Sequence, residues 1–199
     1  PVKGVIASLC LTTLIAGCAG SSTVTVGGRP VSIPTDAAEE HEKLIESIGI
    51  YDDPELQAYI DEIGARLVAN SSMPNQEFTF TLLDSPDINA FALPGGLIYI
   101  NRGLLAYLDN EAELAGVIAH EIGHITERHH SRRKTQTITN QIAAVSAGIL
   151  TGSGDLVDAV SMYGAEIISG FGRDMELEAD AAGAEFMHKS GYDADALLS

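Results

Sequence analysis

The chain has only two cysteines, Cys10 and Cys18, in 199 residues. Both lie at the N-terminal end, so neither is left to cross-link or to ligate a metal in the body of the chain. A disulfide scaffold and a cysteine-ligated metal site are thereby excluded, and stability must come from a packed core. Basic residues are scarce as well: 11 Lys and Arg face 28 Asp and Glu, a formal net charge of −17. Such a surface repels phosphates and anionic lipid headgroups, which argues against nucleic-acid partners and against adsorption to membranes by charge. Beyond the first residues no run of eighteen apolar side chains occurs, so no spanning helix is expected there. What remains has the length of one domain around a single core.

The N-terminal end reads as an export signal. Lys3 supplies a short basic region, Val5 to Ala16 is mostly apolar, and Ile15-Ala16-Gly17-Cys18 has the form of a lipobox, which is cut before its cysteine. Residues 1–17 are expected to be a lipoprotein signal peptide and Cys18 the lipidated first residue. A buried amphipathic helix is disfavoured, because this run shows no polar face. Ala19, rather than Asp, after the cysteine points to the outer membrane, facing the periplasm of a bacterial cell envelope. Residues 18–35, rich in Ser, Thr and Gly with Pro30 and Pro34, are expected to form a flexible lipidated tether.

Regular patterns follow over 36–199. Asp36 to Ile48 and Pro54 to Asn70 read as helices, the second with Asp53 as N-cap and Pro54 at its first position. Phe78 to Leu83 alternates as a strand, and Leu97 to Ile100, after Pro94-Gly95-Gly96, reads as another. The expected fold class is α+β: a mostly helical domain with a small sheet beside one central helix. Thr135 to Phe171 reads as two helices broken at Thr151 to Gly154, with Leu156, Val160, Tyr163, Ile167 and Phe171 as a core stripe. No P-loop lysine follows that Gly-Ser break, so a phosphate cradle is not supported.

The chemistry concentrates in two short segments. His120-Glu121-Ile122-Gly123-His124 spells HExxH within a helical run, Glu111 to Arg128. Residues four apart stand one above the other, so both imidazoles can close on one ion while Glu121 flanks them. Zinc is the expected cofactor, one per chain, because neutral imidazoles suit it and a catalytic site needs one further protein ligand. Glu176-Leu177-Glu178-Ala179-Asp180, on a helical segment from Asp174 to Lys189, provides it. Glu176 is the expected third ligand. Asp180, on the same face, is placed to accept the free N–H of a ligand imidazole and fix its tautomer. Glu178 points elsewhere and is expected in solvent. Gly183 continues the stripe and would let two helices approach closely. Arg128, Arg132, Arg133 and Lys134 read as cations offsetting the negative end of a helix, with His129 and His130 in the same solvated exit.

These segments resemble those of the zinc metallopeptidase family that includes the HtpX-type and CAAX-prenyl-type endopeptidases. The likeness rests on HEIGH within AELAGVIAHEIGHITERHH, on RDMELEAD downstream, and on the approach from Ile88 to Ile125. It spans roughly Leu56 to Leu198. The resemblance implies that His120, His124 and Glu176 bind zinc, that Glu121 is the catalytic base and that Asp180 is a positioning partner. Members often carry a further His-Pro segment and a repeat region, whereas His188 here has no proline after it. The catalytic domain, 36–199, is therefore read as cut short at its C-terminal end.

The expected function is zinc-dependent endopeptidase action on unfolded or misassembled envelope proteins, in outer-membrane protein quality control. The alternative is a chaperone-like or partner-binding lipoprotein with a latent site. A purely structural zinc site is disfavoured, because Glu121 would have no use in it. By the same resemblance, Leu97 to Ile100 is expected to be an edge strand that pairs with substrate, with Asn89, Ala90, Phe91, Gly95 and Gly96 near the cleft.

Overall fold

In this computed structural model, residues 20–26, 29–139 and 171–198 are described. Strands β1 (Ser21–Val26) and β2 (Arg29–Pro34) come first, then helices α1 (Thr35–Ile48) and α2 (Pro54–Ala69). Strands β3 (Thr79–Leu83), β4 (Ala90–Leu93) and β5 (Leu97–Asn101) follow, then the one-turn α3 (Arg102–Leu105) and the central helix α4 (Glu111–Thr126). A helix over 129–139, here α5, leads away from it. The last helix, α6, is Arg173–Lys189. The α+β class expected from the sequence is the class found. Among the described residues no helix is long and apolar enough to cross a membrane.

Two sheets organise the core. β1 and β2 pair antiparallel, while the second sheet runs β3-β5-β4, with β3 parallel and β4 antiparallel to β5. Every residue of β5 is buried. Because side chains alternate across a strand, Ile98 and Ile100 enter the cluster formed with α2, α4 and α6, while Leu97 and Tyr99 face the hairpin and α1. The sheet is thus a middle layer with both faces covered. On the hairpin side, His41 Nδ1 lies 2.7 Å from the Tyr99 hydroxyl, giving that buried O–H a partner.

Two expectations are corrected here. Ser21–Val26 and Arg29–Pro34 are paired strands, not a flexible tether: Val24, Val26, Val31 and Ile33 are buried against Leu97 and Tyr99. The Ser, Thr, Gly and Pro content of this stretch suggested a linker, but the valines and isoleucine alternate at period two, and that period determines the packing. Second, β5 is the central strand, so it offers no edge to a substrate. The helix starts follow the sequence closely. The Asp53 carboxylate accepts from the Leu56 N–H at 3.0 Å with Pro54 at the first helical position. Cys18 and the leader lie outside the described residues, as do 140–170 of the expected helix pair.

The hairpin assignment has a measurable consequence. Ile33 is 1% exposed, and Ile33→Ala should destabilise the domain by about 2–5 kcal/mol in urea unfolding. A tether residue would cost nothing.

Candidate metal centre

The HExxH helix is fixed at its start by a local device. Asn110 Oδ1 accepts from the backbone N–H groups of Ala112 and Glu113 at 2.9 and 3.1 Å, and Glu113 reaches back to the Asp109 N–H at 2.8 Å. From there α4 runs almost wholly buried through Leu114, Ile118 and Ile122. It ends earlier than the sequence suggests. Arg128 has φ 56°, a left-handed backbone, and α5 starts directly after it.

Helix α6 lies against α4 almost backbone to backbone. A Cβ on Gly123 would stand 2.8 Å from the Ala179 carbonyl oxygen, and one on Gly183 would stand 3.1 Å from the His120 nitrogen. Gly123 leaves no room for a Cβ, and at Gly183, where a close approach is expected, a Cβ would be tight enough to push the helices apart by a few tenths of an ångström. The close approach brings the two sequence segments together. His120 Nε2 and His124 Nε2 are 2.9 Å apart, and Glu176 Oε2 lies 3.3 Å from the first and 3.7 Å from the second. A tetrahedral ion with bonds of about 2.0–2.1 Å sets its ligand atoms about 3.3 Å apart. These three donors fit such an ion. Behind them, His120 Nδ1 is 2.8 Å from Asp180 Oδ1, where a ligand imidazole donates its second N–H.

Glu121 is 8% exposed, and its backbone partner is the Ala92 N–H on β4. Burial pushes its carboxyl up to about 7; the neighbouring Glu176 charge adds to this, while His120 and the Ala92 N–H oppose it. His124 is pushed the other way, down to about 3, by burial and then by its imidazole neighbours. Its ring is thus held neutral, the form a metal ligand takes.

Several residues were misplaced by sequence reasoning. His129 is 0% exposed, not solvated, and its Nδ1 lies 2.8 Å from His124 Nδ1. Glu178 is bound rather than free in solvent: His129 Nε2 sits 3.1 Å from its Oε2, and Arg132 donates to both of its oxygens. Arg132, then first and His129 second, hold that carboxyl down at about 2. His130 is half-buried and faces the Ala92 backbone. Phe171, expected in the core, stacks on the His124 ring at 4.1 Å between centroids. Arg133 lies over the Phe171 ring, and Lys134 pairs with Asp36. No spacing rule could have found His129. Five residues past His124 on an unbroken helix it would stand about 140° round the axis.

The cleft strands can also be placed. The outer edge of β3 is closed: the Gln57 amide donates to the Phe80 carbonyl at 3.0 Å and accepts from the Leu82 N–H at 3.1 Å, and the Tyr51 N–H donates to the Leu82 carbonyl at 2.9 Å. The other edge strand, in place of β5, is β4. The Asn89 carbonyl accepts from the Asn101 N–H at 3.0 Å, so alternation turns Asn89 and Phe91 toward β5 and Ala90 and Ala92 outward. The Phe91 ring stacks on Tyr99 at 5.1 Å. Gly95 and Gly96 form the β4–β5 turn with φ 97° and 91°. A Cβ on Gly96 would stand 2.2 Å from the Glu77 carbonyl oxygen, so packing alone accounts for that glycine. Cavities of about 610 and 550 Å³ flank the cluster, the first bordered by His120, Tyr107 and Val117, the second by His124, His130 and Gly95.

Two imidazoles one turn apart, a carboxylate from a second helix and a buried glutamate beside them define a metallopeptidase. The chain belongs to peptidase family M48, whose family model matches residues 54–199. It is 38% identical over 159 residues to the beta-barrel assembly-enhancing protease of Yersinia pestis, covering 73% of this chain and 32% of that one. With the protein of the same name from Escherichia coli K12 it shares 34% over 161 residues, 76% of this chain and 33% of that one. With the mitochondrial metalloendopeptidase OMA1 of Schizosaccharomyces pombe it shares 32% over 139 residues, 69% of this chain and 41% of that one. The chain spans about a third of the length of the two bacterial relatives. The family is thus M48 at large, and none of these three is named as an HtpX or CAAX-prenyl type.

The raised carboxyl of Glu121 affects stability. A folded-state value near 7 against 4.5 for the free group costs nothing below pH 4.5, where both states are protonated. The cost grows as pH rises through that window and levels off above 7, at about 3 kcal/mol. In chelator-treated protein, Glu121→Gln should therefore unfold at higher urea than wild type near pH 8, and the gap should close near pH 4.

Proposed function

We propose that the chain is the catalytic part of a zinc-dependent endopeptidase of the bacterial cell envelope, acting on unfolded or misassembled outer-membrane proteins. One observation carries the reading: the His120, His124 and Glu176 donors converge at ion-binding distances, with buried Glu121 beside them and bonded to the outward face of β4. Neutral imidazoles and one carboxylate are the donor set zinc prefers in catalytic sites, and no cysteine competes. The names of the bacterial relatives support the envelope substrate class.

In this mechanism His120, His124 and Glu176 hold the ion, and Asp180 keeps His120 in the tautomer whose Nε2 lone pair faces it. Bound there, zinc polarises a carbonyl oxygen and lowers the pKa of a water toward about 7. Glu121, buried beside the ligands, takes the proton from the attacking water. The same carboxyl then delivers it to the departing amine. A peptide would lie extended along β4, with the outward N–H of Ala90 available to it and Asn89 and Phe91 holding the strand in place from the β5 side. Ala92 is already engaged by Glu121 and His130. Cys18 is the proposed lipid anchor, which would hold the domain at the periplasmic face of the outer membrane.

Glu121→Gln should lower casein cleavage by about 10²–10⁴-fold at unchanged zinc content, read by fluorescent-peptide release and metal analysis. Equal activity in both proteins would overturn the peptidase reading. Ala90→Pro, which removes an outward donor on an edge strand where proline is tolerated, should reduce kcat/KM about tenfold. Labelled palmitate should enter wild type and not Cys18→Ser.

A further inference from the structure

The two imidazoles of the metal cluster are backed in different ways. His120 meets a carboxylate directly, at 2.8 Å from Asp180. His124 meets another imidazole at the same distance, His129, which is 0% exposed and itself lies 3.1 Å from Glu178. Arg132 then grips Glu178 with both of its terminal nitrogens. A carboxylate stands behind each ligand, at one remove in one case and at two in the other.

With His120, His124 and Glu176 read as ligands, the protons in this row follow. His124 Nε2 faces His120 Nε2 and Glu176, so it must present its lone pair there, and its proton must sit on Nδ1. That N–H donates to His129 Nδ1, which leaves the His129 proton on Nε2, donated to Glu178. Glu178 accepts, and Arg132 supplies the charge that keeps it anionic. Reversing the row would aim an N–H at the cation. The backbone makes the contact possible: the left-handed turn at Arg128 ends α4 and swings His129 from the far side of the helix to the back of His124. A non-glycine residue in that region is uncommon, and here it is what places the contact.

We propose that His129, held by Glu178 and Arg132, is the positioning residue for His124, setting its tautomer and ring orientation toward the metal as Asp180 does for His120. This rests on the reading of His120, His124 and Glu176 as ligands. Nothing in the HExxH pattern demands such a residue, and its contribution is to metal affinity rather than to the bond-breaking step.

The test measures zinc affinity of the full chain by competition with a chromophoric chelator, with melting followed in parallel to confirm that each variant is folded. His129→Phe keeps a ring but loses both hydrogen bonds, and should weaken zinc binding about 10–100-fold. His129→Gln carries an acceptor and a donor on one amide, spaced much as the ring nitrogens are, and should restore affinity to within about threefold of wild type. Glu178→Gln, at a half-exposed position where folding is not at risk, should weaken binding by about three- to tenfold, and so reports even if the phenylalanine variant does not fold. Cobalt-substituted His129→Phe should show a shifted visible absorption band, which a residue that merely fills space would not produce. Wild type binding one zinc per chain, with affinity unchanged in the folded variants, overturns this proposal alone. Wild type binding no zinc overturns the metal-site reading along with it.

Discussion

The near contact of α4 and α6 is the constraint on which the rest of the structure depends. Gly123 lies under Ala179 at a distance no side chain could occupy, and Gly183 lies under Ala119 and His120 where one would be tight. That closeness puts Glu176 and Asp180, one turn apart on α6, on either side of the His120 ring. A wider crossing would leave the imidazoles and the carboxylate on separate surfaces. The glycines cost helix propensity, and the buried cluster of Ile118, Ala119, Ile122, Phe186 and Met187 offsets it by removing apolar area from water.

Burial at the crossing also sets the electrostatics. The same dry surroundings push Glu121 up to about 7 and His124 down to about 3, so each prefers its neutral form. For the imidazole that is the metal-binding form. For the carboxyl it is the protonated form, whose burial costs least in the metal-free protein. Two further charges, Glu178 and Arg132, sit outside the cluster, where solvent reaches them and where they pair with each other behind His129.

The sheet supplies direction. β5 is paired on both sides, and Gln57 and Tyr51 occupy the outer edge of β3, so the outward groups of β4 lie on the side of the metal cluster. Glu121 reaches that strand at Ala92. The hairpin and α1 cover the opposite face and hold the β4–β5 turn, where a Cβ on Gly95 would stand 2.8 Å from Ile33. β4, Glu121 and the His120–His124–Glu176 cluster thus lie on the side of the sheet that the other elements leave open.

What could be read in the chain alone was whatever depends on local periodicity. The i, i+4 spacing of His120 and His124 and of Glu176 and Asp180, the Asp53 cap and the α+β class need only helix geometry and neighbouring residues. The cysteine count and the charge balance excluded other site chemistries without any coordinates. Tertiary structure decided the rest. The role of Gly20–Pro34 turned on whether four aliphatic side chains found a sheet face to cover, which composition does not record. The identity of the edge strand turned on pairing between segments distant in sequence. His129 and Glu178 joined the site only because Arg128 leaves the helical region and redirects the chain. His129 on α5 meets His124 on α4 and Glu178 on α6, so no pattern within one helix could reveal the row.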